Sequence, residues 1–196
     1  MKKNKITRLM LNYSLIVMPT ELLKILSRKI SNKISTLYWK AAGVQLGKGS
    51  IIERNFITNC PKKIVVGSNC LISNEVSITS EDPFNENTIF IEDEVQINGK
   101  VRIDITGGIN IGKNTLISSN TVIFTHSHGL NPRQLPEPLY LNIEESVWIG
   151  ERVMVLQSVN NIASHSIIGA GTILSKDTLK GSISVSSSNR TLVRND

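Results

Sequence analysis

The chain holds only three histidines, and two of them, His126 and His128, stand two residues apart in the stretch Thr125-His126-Ser127-His128-Gly129-Leu130-Asn131. An imidazole titrates near neutral pH, so either ring could take a proton from an attacking alcohol and act as a general base. A pair of solvated loop histidines would explain the same stretch without any chemistry. A metal site needs a third donor at fitting distance; His165 stands in another part of the chain with no His or Cys beside it, so no metal is expected. No Ser or Cys nucleophile motif is visible. Cys60 and Cys70 lack the spacing of a zinc site or a disulfide framework, and with no secretory signal before them they read as reduced thiols of a cytoplasmic protein.

The element that must position these histidines is a repeat. Aromatic residues are only 5% of the 196, so a core has to be built from branched aliphatics, which favour strands. From about residue 44 a six-residue unit recurs, with an aliphatic residue first, often a small residue second, and a small or β-branched residue fifth. Copies begin at Leu46, Ile52, Val66, Ile72, Ile91, Ile97, Ile111, Ile117, Ile149, Val155, Ile162, Ile168 and Leu174, and Cys70 occupies a fifth position. Each unit makes one short strand and one turn, and three units close a triangular coil of eighteen residues. Two interruptions leave the coil. The first is polar, Glu81 to Asn87; the second runs from about 124 to 143, carries both histidines, and is kept extended by Pro132, Pro136 and Pro138.

The formal net charge of +6 divides unevenly. Residues 1–40 carry nine Lys or Arg and one Glu, and the remainder is −2. A basic stripe with interleaved aromatics is absent from the repeat, so nucleic-acid binding is not expected. Residues 1–43 read as a separate basic segment of two amphipathic helices parted by Pro19, too short and interrupted to span a bilayer. Packing on the main domain or on another subunit, or reversible adsorption to an anionic membrane surface, would use such a segment. Residues 44–180 form the repeat domain and 181–196 a tail.

The stretch Ile117 to Asn131, then Val147-Trp148-Ile149-Gly150, then Ile168-Gly169-Ala170-Gly171-Thr172-Ile173-Leu174-Ser175-Lys176-Asp177, resembles the maltose, galactoside and nodulation-factor O-acetyltransferases. The segment Ile97-Asn98-Gly99-Lys100-Val101-Arg102-Ile103-Asp104 is similar to O-acetyltransferases that modify surface polysaccharides. The resemblance implies an all-β fold, a left-handed parallel β-helix, and an enzyme that moves acetyl from acetyl-CoA to a sugar hydroxyl without a covalent intermediate. It also implies a homotrimer with its sites between subunits. The periodicity alone does not show handedness.

By the same resemblance His128 is the base, because His128-Gly129-Leu130-Asn131 matches the family's His-Pro-Leu-Asp; His126 is then the second choice, a neighbour that tunes the base or binds acceptor. Trp148, Gly150, Glu151, Ala170, Gly171, Ser175, Lys176 and Arg190 fall on acetyl-CoA contacts, with Glu151 departing from the usual small polar residue. Asn98, Asp104, Asn131 and Trp148 fall on the acceptor side. The family's final Gly-Val-Pro turn is replaced by Ser186-Ser187-Ser188-Asn189. The acceptor suggested is a bacterial surface polysaccharide or its precursor, met in the cytoplasm or at the inner face of the plasma membrane. Acetylation of a small free acceptor (a simple sugar, serine or an antibiotic) and a non-catalytic β-helix scaffold are the alternatives.

Overall fold

The computed structural model describes residues 3–186, with side chains from residue 20 onward. Three parallel sheets make the faces of a triangular coil. The first face has six strands, Gln45–Leu46, Ile64–Val66, Ile89–Ile91, Ile109–Ile111, Leu141–Ile143 and Asn161–Ile162. The second has seven, Ile51–Ile52, Leu71–Ile72, Gln96–Ile97, Leu116–Ile117, Trp148–Ile149, Ile167–Ile168 and Ile183–Ser184. The third has five, Ser77–Thr79, Arg102–Asp104, Val122–Ile123, Met154–Val155 and Ile173–Leu174.

The aliphatic first positions point inward and stack in register. Ile52, Ile72, Ile97, Ile117, Ile149 and Ile168 form one fully buried ladder, and Ile78, Ile103, Ile123 and Val155 another. The fifth positions, among them Cys70, Val95, Thr115, Thr121, Val147 and Val153, are buried too. The fourth position turns each corner and does so with a left-handed backbone: Asn55, Asn69, Glu75, Lys100, Asn114, Asn120, Arg152 and His165 all have φ between 57° and 63°. Asn accepts that conformation most readily among residues with a side chain. The third histidine, His165, is thus an exposed corner residue of the coil.

The coil is longer than the eighteen residues expected. Ile117 lies over Ile97, twenty residues earlier, because the corner between the third and first faces takes two additional residues at Thr106-Gly107-Gly108. That corner is where both interruptions leave. The second is a short antiparallel ribbon in which His126 pairs with Pro138 and Ser127 with Glu137. It returns at Leu141. A side chain on Gly107 would strike the backbone oxygens of Thr125 and Leu139, so only glycine lets the root of the ribbon pass.

Before the coil, one helix, Lys3–Ala42, replaces the two helices expected on either side of Pro19. A proline within a helix forfeits one backbone hydrogen bond and kinks the rod, which need not break. Gly43, at φ 116°, ends it. The side that meets the coil is polar. Asn32, Ser35 and Thr36 face the first coil, where they bond Glu53 Oε1, Glu53 O and Ile52 O. Trp39 alone brings an aromatic anchor, edge-on to Phe56 at 5.0 Å. Leu23, Leu26, Ile30, Ile34 and Leu37 point outward. Removing one rung of the core should therefore cost more than anything done to the helix: Ile103→Ala, between Ile78 and Ile123, is expected to lose about 2–5 kcal/mol in urea unfolding.

Candidate active site

Parallel stacking brings side chains from three successive coils to one corner. Asp104 ends a strand of the third face, Glu81 leaves the coil below it, and Thr125 and His126 leave the coil above. Asp104 Oδ2 accepts the backbone N–H of Thr125 at 2.8 Å, the Thr125 hydroxyl at 2.8 Å and His126 Nδ1 at 2.8 Å. Its Oδ1 accepts the N–H and the hydroxyl of Thr106, and the Thr106 hydroxyl in turn accepts the Glu81 N–H at 2.9 Å. Burial alone would raise the Asp104 carboxyl; the hydrogen bonds from Thr106, His126 and Thr125 together outweigh it and hold the group below the ordinary carboxylate range.

These partners fix the tautomers. An ionised Asp104 can only accept, so His126 carries its proton on Nδ1. A backbone carbonyl can only accept as well, and His128 Nδ1 lies 2.7 Å from Gln134 O, so His128 is also the Nδ1–H form. Both Nε2 atoms then turn toward Glu81: His126 Nε2 is 3.4 Å from Oε1 and His128 Nε2 is 3.1 Å from Oε2. The rings meet edge to face with centroids 5.0 Å apart. His126 is the more enclosed, with 11% of its side chain exposed against 27% for His128. A cleft of about 420 Å³ opens beside it over the third face, lined by Asn59, Thr79, Glu81, Arg102, Asp104 and Phe124 among others.

A second cleft, of about 480 Å³, lies at the corner between the second and third faces and collects Asn98, Ser118, Trp148, Gly150, Glu151 and Ala170. Trp148 is half exposed, and its indole Nε1 donates to Ser118 Oγ at 3.2 Å. Gly150 is required by the coil itself, since a Cβ would lie 2.7 Å from Ala170 N. Gly171 sits at the adjoining corner with φ 71° and open space where a side chain would be. Glu151 Oε1 is drawn sideways to Asn120 Nδ2 at 3.3 Å.

Most of the site residues expected from the sequence fall in these two groups. Asn98 and Asp104, six residues apart, sit at successive corners, Asn98 in the Trp148 cleft and Asp104 behind His126. Ser175 and Lys176 follow the third face and do not line the Trp148 cleft. Asn131 caps a turn of the ribbon, accepting from Arg133 N–H at 3.1 Å through its side chain and from Gln134 N–H at 2.9 Å through its carbonyl, and so helps place the carbonyl that holds His128. Arg190 and Ser187-Ser188-Asn189 lie outside the described residues. Glu81, Thr106, Thr125 and Gln134 were not singled out in the sequence; the break in the repeat at Glu81 was the available signal.

Solved structures share this architecture. The N-acyltransferase AntD from Bacillus cereus, in complex with dTDP-4-amino-4,6-dideoxyglucose and coenzyme A, superposes with a TM-score of 0.65 over 78% of this chain and 85% of its own, at 18% identity. The hexapeptide-repeat acetyltransferase VCA0836 from Vibrio cholerae gives 0.52 over 76% and 72%, at 24% identity. The coil is accordingly the left-handed β-helix of hexapeptide-repeat proteins. No family model matches the chain. Among curated proteins, Escherichia coli (strain K12) WbbJ, assigned to lipopolysaccharide biosynthesis as an O-acetyl transferase, is 30% identical over 166 residues, 72% of this chain and 83% of its own. A Lactococcus lactis galactoside O-acetyltransferase is 36% identical over 75 residues, and a Schizosaccharomyces pombe protein assigned as an acetyltransferase 35% over 83; those matches span 35% and 40% of the two relatives' lengths. On the WbbJ match, the chain belongs to the hexapeptide-repeat acetyltransferase family.

Asp104 carries a stability signature of its own. Its folded-state value is depressed, so its contribution is complete above about pH 4 and is lost as pH falls through the depressed value. Asp104→Asn should therefore be less stable than the parent at neutral pH, and the gap between their denaturant midpoints should narrow as the solution is acidified through that range.

Proposed function

We propose that this protein transfers the acetyl group of acetyl-CoA to a sugar hydroxyl of a bacterial surface polysaccharide or its precursor, with His126 as general base. The observation that carries the reading is the Asp104–His126 pair at the edge of an open cleft. Asp104 holds the ring in the tautomer with a free Nε2 and stabilises the imidazolium that forms, as the carboxylate of a catalytic triad does. The acceptor hydroxyl displaces Glu81 from Nε2, gives its proton to that nitrogen, and its oxygen attacks the thioester carbonyl. Collapse of the tetrahedral intermediate breaks the C–S bond, and the imidazolium returns the proton to the CoA sulfur.

The register of the His-Gly-Leu-Asn stretch favours His128. Two features favour His126 instead: its partner is a charged carboxylate rather than a carbonyl, and its ring borders the cleft. The Trp148 cleft suits the pantetheine arm, with Ala170 and Gly171 leaving room for it. One side of the triangle, on the order of 15 Å for five or so extended residues, separates that cleft from His126. A homotrimer, in which the His126 corner of one copy faces the Trp148 corner of the next, brings the two halves together. The name of WbbJ supports a lipopolysaccharide-type acceptor.

The helix Lys3–Ala42 fits an acceptor carried on lipid. Its outward Leu and Ile side chains are flanked by Lys29, Lys33 and Lys40, which suits peripheral adsorption to an anionic membrane face. Among the described residues no helix is long and apolar enough to cross a membrane.

With acetyl-CoA and a lipid-linked or polymeric glycan, His126→Ala should slow CoA release by about two to four orders of magnitude, while His128→Ala keeps most of it. The reverse order would return the base to His128, and a wild type that releases no CoA with any glycan would make the chain a scaffold. Co-sedimentation with vesicles should need anionic lipid and weaken in Leu26→Gln/Ile30→Gln; equal binding to neutral vesicles would remove the charge argument.

A further inference from the structure

With one proton on each ring, held at Nδ1 by Asp104 and by Gln134 O, neither imidazole offers a proton to Glu81. Two lone pairs therefore face a carboxylate at 3.1 and 3.4 Å, an arrangement that repels unless positive charge lies among the three groups. Two added protons, one on each ring, would supply it; so would one divalent cation. The spacing admits the cation. A tetrahedral ion with bonds of about 2.0–2.1 Å sets its ligand atoms about 3.3–3.4 Å apart. The donor atoms of Glu81, His126 and His128 all lie within 4.8 Å of one another.

We propose that Glu81, His126 and His128 form a binding site for one divalent transition-metal ion of the zinc class. Two imidazoles and a carboxylate are the borderline donors that such ions prefer to the all-oxygen sets of Mg²⁺ and Ca²⁺. Both rings already have the outer partners that metal-bound histidines need: a carboxylate behind His126 and a backbone carbonyl behind His128 fix the rings with Nε2 forward. Charge balances, since Glu81 and Asp104 together offset an ion of charge +2. Glu81 is half exposed and His128 a quarter exposed, so the ion enters from solvent and keeps a position open for water. The carboxylate arrives from the polar break at residues 80–88, two coils below the ribbon, which is why the third donor is invisible to sequence spacing.

Occupancy has a consequence for the chemistry, which rests on the acetyl-transfer reading. The Nε2 lone pair of His126 cannot hold an ion and accept a proton at once, so the metal-loaded protein is inactive and chelation restores turnover.

Calorimetric titration of untagged, chelator-treated full-length protein with ZnCl₂ tests the site, and Co²⁺ provides a second readout through the visible absorption of a tetrahedral complex. One ion per chain is expected. Glu81→Gln, His126→Ala and His128→Ala should each weaken binding by at least about tenfold, Asp104→Asn by about tenfold through the ring it orients, and His165→Ala should change nothing. Thermal melts establish that each variant is folded. Absence of binding in the wild type, or binding that survives in Glu81→Gln or in both histidine variants, would overturn the site. Binding as expected with turnover unchanged by Zn²⁺ would leave the site standing and overturn His126 as the base.

Discussion

In-register parallel stacking is the constraint on which everything else in this molecule depends. Neighbouring strands in a sheet stand about 4.8 Å apart, so side chains at equivalent positions of consecutive coils become neighbours however many residues separate them. Inside the triangle this builds the isoleucine ladders that hold the coil together. At the corner between the third and first faces it places Glu81, Asp104 and His126, drawn from three coils, within hydrogen-bonding reach of one another or of Thr106 between them. The same geometry that makes the core repetitive brings the candidate site together at this corner.

Much of the fold was legible because it is written in a local period. The aliphatic first positions, the small fifth positions and the places where the repeat breaks all follow from six-residue spacing, and the inward ladders fall where that spacing puts them. The corner residues Asn55, Asn69, Asn114 and Asn120 carried a further signal in their tolerance of left-handed backbone. The site was less legible. Register along the chain pointed to His128, whereas the part-buried carboxylate partner belongs to His126, and that partnership depends on the vertical offset between coils of twenty residues rather than eighteen. Glu81 could not be assigned a neighbour either, since its own coil is offset by twenty-five residues from that of Asp104. The helical segment differs for another reason: Pro19 suggested two helices where there is one, and the side that meets the coil is polar, because the end of the coil offers backbone carbonyl groups that Ser35 and Thr36 satisfy.

The distribution of functional groups on one coil has a direct consequence for assembly. Asp104 and His126 stand at one end of the third face and Trp148, Glu151 and Ala170 at the other. A flat face of stacked strands lies between them, and no loop among the described residues folds over it to join them. Repetition within a chain therefore supplies two separate clefts, and the proposed trimer would unite them by repetition of the chain.

Subunit complementation tests this account most directly. His126→Ala removes one half-site and Ala170→Trp fills the other, and each variant alone should be inactive in acetyl transfer. Trimers assembled from an equal mixture should regain roughly a quarter of wild-type activity, the chance that an intact His126 corner meets an intact Trp148 corner on the neighbouring copy. A mixture as inactive as its parents would place the whole site within one chain and contradict the composite site.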